Sequence, residues 1–284
     1  MTTTVAAHEN VVTVRPNTRR RRLTLGRFVL PVWSVLVILW LIAPILVMIV
    51  FSFNKTTGRT VSTTWNGFTF RWYAHMFASS DLTDALVNSI TIGLLTTAIS
   101  VVLGTLMGVA MGRRKFVGIG SVNLLLFANI AAPEVVLGAA LLSLFLTMRI
   151  PLGYWTILIA HVMFSVAYVV ITVRARMAGQ DPSLEEASRD LGAGPVATFV
   201  RITLPGIFPG IIAGGLLAFV MSIDDYIITN FNNGTTQTFP LWVIGASNRL
   251  GGGVPPTTYS VGSMIFLGGV LLAVGGAIWN RRKA

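Results

Sequence analysis

The chain of 284 residues has no cysteine and only three histidines and three lysines. Without cysteine there is no disulfide framework, no thiol nucleophile and no thiolate metal site. The histidines, at positions 8, 75 and 161, cannot make an HExxH zinc site. Lys55, Lys115 and Lys283 all lie outside any GxxxxGK[ST] phosphate-binding loop, and no GxSxG nucleophile elbow is present. Charge is scarce as well. Charged residues are 11% of the chain, against about 25% in an ordinary soluble domain, too few to coat a water-facing surface.

What the chain has instead is long apolar sequence. Hydrophobic residues make up 54% of it and the mean hydropathy is +0.75. A helix needs about 20 apolar residues to cross a hydrocarbon layer roughly 30 Å thick. Six stretches qualify: residues 28–53, 85–112, 116–147, 150–173, 202–231 and 257–280. The alternating ten-residue strands of a membrane barrel are absent, and runs of this length satisfy their backbone polar groups as helices. The expectation is an all-α membrane protein of six transmembrane helices spanning residues 28–280. Residues 1–27 read as a basic, disordered tail and 281–284 as a short basic end. The first apolar run exceeds the roughly 7–15 residues of a signal-peptide core, so it reads as an uncleaved anchor.

Basic residues set the orientation. An inside N-terminus places 16 lysines and arginines on the inner side and 5 on the outer side. The positive-inside rule then predicts that both termini and the 174–206 loop are cytoplasmic. This accounts for the net charge of +11 without nucleic acid. Arg19, Arg20, Arg21 and Arg22 read as a topology anchor against lipid headgroups. The seven tryptophans mostly lie near span ends, as interfacial aromatics do. Gly104, Gly108 and Gly112 line one helix face, where another helix of the bundle or of a sister subunit can approach closely.

The 175–205 loop is the longest internal inner segment. Asp181 can cap a short helix with Pro182 at its first position, or Ser183 and Glu186 can form a capping box. Arg189 follows Glu185 by four residues, Gly192 supplies a left-handed stop, and Gly194-Pro195 starts a second short helix ending near Thr203. Glu186-Ala187-Ser188, three residues, Gly192, nine residues and Ile202-Thr203-Leu204-Pro205 together resemble the EAA motif of bacterial ABC-importer permeases, with Ser188 in place of the second alanine. The resemblance implies a type I ABC-importer permease-like bundle whose cytoplasmic coupling-helix loop docks on an ATPase. It carries an ATPase-coupling role to Asp181, Glu185, Glu186, Ala187, Ser188, Asp190, Leu191, Gly192 and Ala193.

Three further stretches narrow the family: Pro133-Glu134-Val135-Val136, Ser222-Ile223-Asp224-Asp225 and Phe239-Pro240-Leu241-Trp242. They resemble spermidine/putrescine permeases, of the C type that pairs with a homologous second permease. This implies a bacterial inner membrane location, two copies of a cytoplasmic ATPase subunit and an extracytoplasmic solute-binding protein. ATP and magnesium would be held by the ATPase, with no cofactor, metal or catalytic residue in this chain.

An ionisable side chain within a span is a functional candidate by default. Glu134, Asp224 and Asp225 are three such acids, with no lysine or arginine clearly inside a span, which suits a solute carrying several ammonium groups. Each also has a plain reading: Glu134 can cap a turn broken by Pro133, and one aspartate can brace Ser222, Tyr226 or a neighbouring helix. Tyr226, Phe231 and Trp242 can offer cation–π contacts or simply pack. His161 reads as a packed, hydrogen-bonded histidine. The alternatives are the same type of importer for another cationic or organic solute and, in a different class, an intramembrane enzyme. Adjacent aspartates about 100° apart on one helix cannot alone form an aspartyl dyad.

Overall fold

The computed structural model describes residues 26–113 and 116–281. Arg15, Arg19, Arg20, Arg21, Arg22, Arg114, Lys115, Arg282 and Lys283, together with residues 1–25 of the tail assigned to residues 1–27, lie outside the described residues. Among the described residues the secondary structure is helical apart from one isolated bridge between Asn54 and Phe68.

The helices are α1 (Gly26–Phe51), α2 (Arg71–Ala74), α3 (Ser80–Arg113), α4 (Ile119–Ala131), α5 (Glu134–Thr147), α6 (Tyr154–Ala178), α7 (Ser183–Asp190), α8 (Pro195–Thr198), α9 (Leu204–Asp224), α10 (Ile227–Asn232), α11 (Phe239–Arg249) and α12 (Pro256–Arg281). Five helical segments are long and apolar enough to cross a membrane, and α4 with α5 supplies the sixth apolar run. This is a multi-pass membrane fold.

Two of the six expected spans are not straight rods. The run 116–147 bends by 109° between α4 and α5. Pro133 removes a backbone donor and forces Ala132 into extended backbone, so α5 restarts at Glu134. The run 202–231 breaks after Asp224, with Asp225 extended, and resumes as the short α10. Hydropathy registers composition over a window and is blind to such changes of direction. A second difference is that the short helix after Gly194 does not end near Thr203. It runs through one wide π turn (Phe199–Thr203) directly into α9. Pro205 has no N–H for the Arg201 carbonyl and its ring presses on it, and a wider turn relieves that clash.

From Ile49 onward the chain forms one compact unit. Its centre is α6, gripped between α3 and α9. The glycine stripe faces α6: a Cβ on Gly104 would meet Val169 at 2.6 Å, and one on Gly108 would meet Val173 at 2.9 Å. From the other side, a Cβ on Gly214 would stand 3.0 Å from the Val169 backbone. The stripe therefore serves packing within this chain. A separate apolar cluster joins α3, α11 and α12 through Leu82, Leu86, Trp242 and Val261.

Candidate functional site

The described residues hold two groups of interest, one at each end of α9. The first is the helical elbow around α7. Its start is capped by Asp181, whose Oδ1 accepts the Ser183 N–H at 2.9 Å. That bond holds the exposed Asp181 carboxyl below its ordinary pKa. Of the two caps compatible with the sequence, the chain uses this one; α7 starts without a Ser183–Glu186 box. Its end is a Schellman turn. Gly192 has φ +83°, its N–H donates to the Arg189 carbonyl at 2.9 Å, and the Ala193 N–H donates to the Ser188 carbonyl at 3.1 Å. Ser188 Oγ lies 3.2 Å from Thr198 Oγ1, so the small residue at the second alanine position touches α8.

The elbow has two faces. Leu184, Glu186, Asp190 and Val196 are exposed, and Leu191 is 89% exposed on its tip. Apolar side chains this open, flanked by acids, are what a docking surface offers. Glu185 faces the other way. Its side chain is only 12% exposed, lies 3.0 Å from Arg113 Nη2, and accepts the Thr203 hydroxyl at 2.8 Å. Arg189, four residues on, stands 3.7 Å away. Glu185 is thus turned into the protein, away from the exposed face. Arg113, Gln180 and Thr203, which complete this junction, carried no sequence signal beyond charge and spacing.

The second group sits where α9 stops. Asp224 ends the helix and is exposed, whereas Asp225 is buried. Asp225 Oδ2 accepts both the backbone N–H and the hydroxyl of Thr229, each at 2.7 Å. His161 on α6, 1% exposed, places Nδ1 2.7 Å from Ser222 Oγ and Nε2 2.9 Å from Thr229 Oγ1. Its Nε2 is also 3.3 Å from Asp225 Oδ2. One histidine therefore ties the end of α9, the break and the start of α10 to α6. Ser222, His161 and Asp225 have the residue types of a hydrolytic triad, yet all three are buried, and the Ser222 hydroxyl is held by His161 away from solvent. The arrangement braces a bend.

Glu134 stands exposed in the first turn of α5, where the positive helix end favours an anion. Its helix packs on α10: a Cβ on Gly138 would lie 2.7 Å from the Phe231 ring, and Asn232 Nδ2 donates to the Gly138 carbonyl at 3.4 Å. The segments that follow the two helix breaks thus lean on each other. Tyr226 is half-buried at the second break. Trp242, grouped with the acids on sequence, is instead 7% exposed in the α3–α11–α12 cluster. Its large ring is consumed by packing there, which removes it from the candidate site. At the far end of α3 from the elbow, Asp81, Asp84, Asn88 and Tyr154 line a polar recess of about 440 Å³.

Residues 100–283 match the family described as binding-protein-dependent transport system inner membrane component. The chain belongs to that family. It is 31% identical over 245 residues to the spermidine/putrescine transport system permease protein PotC of Haemophilus influenzae, covering 86% of this chain and 93% of that protein. It is 34% identical over 258 residues to the putrescine transport system permease protein PotI of Escherichia coli, covering 87% and 89%. Among solved structures, a bacterial ABC transporter involved in the import of the acidic polysaccharide alginate superposes with a TM-score of 0.62 at 17% identity, over 90% of this chain and 96% of that one. An amino acid ABC transporter gives 0.57 at 17% identity, over 76% and 100%. One transport fold thus accompanies quite different solutes, and the fold alone does not name the solute.

Proposed function

We propose that this permease subunit carries a polyamine, spermidine or putrescine, across a bacterial inner membrane, with both termini and the α7 elbow on the cytoplasmic side. A homologous second permease completes the pathway. Of two ATPase subunits, holding ATP and magnesium, one docks on the exposed face of α7 through Leu184, Glu186, Asp190 and Leu191. An extracytoplasmic binding protein delivers the solute. The chain itself performs no catalysis.

The observation that carries the solute assignment is Asp224. An exposed carboxylate at the C-terminal end of a spanning helix combines a full negative charge with the negative end of the helix dipole. An ammonium group is the complementary ligand, and broken helices in transporters present their ends to ions in this manner. Glu134, beside the other break, adds a second carboxylate. Relatives spanning most of the chain and named for spermidine and putrescine support the same choice.

The test is reconstitution of the chain with its second permease and ATPase in liposomes, with binding protein added outside. ATP-dependent accumulation of labelled spermidine, displaced by putrescine and unaffected by an amino acid or sugar, is the expected result. Accumulation displaced equally by an uncharged solute would remove the polyamine assignment.

A further inference from the structure

The elbow is joined to α9 in sequence only through weak links. Gly192 and Gly194 flank the turn, and the π turn interrupts the regular hydrogen-bond ladder before α9 begins. A push on α7 carried along the backbone alone would be absorbed there. A second, non-covalent route bypasses these links. Glu185 Oε1 accepts Arg113 Nε at 3.1 Å and the Thr203 hydroxyl at 2.8 Å. Arg113 is the last residue of α3, and Thr203 is the residue immediately before α9. Gln180 closes the junction, receiving Arg113 Nη2 at 3.4 Å and donating to the Thr203 carbonyl at 3.5 Å. One largely buried carboxylate therefore holds the elbow, the end of α3 and the start of α9 at a single point.

We infer that Glu185 is a positioning residue for transport: a clip that passes displacement of α7 to α3 and α9, while the neighbouring acid Glu186 faces the docking partner. At about 1.5 Å per residue, the 21 residues of α9 carry such a displacement about 30 Å to Asp224. Paired Arg–carboxylate contacts in a partly buried setting are directional and short, which suits them to transmit a shift. The inference rests on the coupling role of α7 proposed above.

The experiment uses the complete transporter in liposomes and exploits the absence of cysteine. Val220→Cys gives this chain its single thiol, one helical turn from Asp224 on the same face, and the complex without that substitution supplies the background labelling of the other subunits. The thiol-labelling rate is measured with and without a non-hydrolysable ATP analogue, and uptake per ATP hydrolysed is measured in parallel. In the otherwise unaltered complex the analogue should change the labelling rate. In E185Q, which keeps shape and one acceptor, and independently in R113Q, the ATPase should still copurify. The nucleotide-dependent change should then vanish, with uptake per ATP falling about tenfold, within the usual range of coupling between sites. The double variant should be no worse than either alone, because the two residues act as one unit. The reversed pair E185R/R113E should recover part of what R113E loses. A complex without bound ATPase even before E185Q is introduced sinks the coupling role and the clip with it. Normal switching in E185Q sinks the clip alone. Loss of the ATPase from E185Q overturns the inference too, since Glu185 would then be a docking residue.

Discussion

Asp224 and Asp225 have opposite surroundings because α9 stops between them. Asp224 closes the helix and faces outward, whereas the extended backbone at Asp225 folds its carboxylate onto Thr229 and His161. Their substitutions should therefore diverge. Asp224→Asn keeps size and removes charge, and a charge contact in a partly dehydrated site is worth about 1.5–3 kcal/mol. Labelled spermidine uptake should fall by about one to two orders of magnitude at normal membrane abundance. Asp225→Asn retains an acceptor for Thr229 and should be mild. Asp225→Ala leaves a buried N–H and hydroxyl short of a partner, at a cost of about 1–3 kcal/mol, and should lower the amount of protein in the membrane. Equal behaviour of Asp224→Asn and Asp225→Asn in both assays would contradict this division. Asp181 permits a pH statement. Its depressed pKa means that the cap on α7 is fully present above the ordinary carboxylate value near 3.9 and is lost only as pH falls through the lowered one. This cap should thus be intact at both pH 5 and pH 7.5, with Asp181→Ala weakening ATPase copurification equally at the two. At this scale the sequence offered the pair of aspartates and the lone histidine but not their partnership, since Ser222, Thr229 and His161 meet only across three helices.

Among the elements, the elbow was the most legible and the broken spans the least. Capping residues, a glycine at the left-handed position and a restart at Pro195 are local chemistry, so α7 and its stop could be read within two residues. Gly192→Val forces a β-branched side chain into φ +83° and should open the Schellman turn. The subunit should remain in the membrane, with ATPase copurification reduced several-fold or hydrolysis no longer stimulated by loaded binding protein. The glycine stripe was legible as a close-packing face, but its partner was not, because a spacing of four names a surface and not what lies on it. Gly108→Leu would drive a side chain into Val173, already 2.9 Å from an added Cβ, and should separate α3 from α6. Overpacking costs about 1–3 kcal/mol, so detergent-extracted protein should lose its folded fraction, whereas Gly120→Leu, where nothing lies within 4 Å of an added Cβ, should not.

For the whole molecule, apolar run length gave the correct class and six apolar segments, but bends at Pro133 and Asp225 depend on single residues that a hydropathy window averages away. Orientation rests on the distribution of arginine and lysine. Asp190→Cys, on the exposed elbow, should be labelled by an impermeant reagent only after cells are opened, and labelling in intact cells would invert the topology. A last consequence concerns α6, gripped by glycines of α3 and α9. Where backbones approach this closely, neither helix can slide without its neighbour's valines colliding with main chain. Shear between packed helices, one of the two ordinary routes of domain motion, is thereby closed to this trio, and bending at the two breaks is left open. Amide protons in the middle of α6 should accordingly exchange with deuterium at one slow rate with or without nucleotide, while those of α5 and α10 quicken and slow with each turn of the cycle.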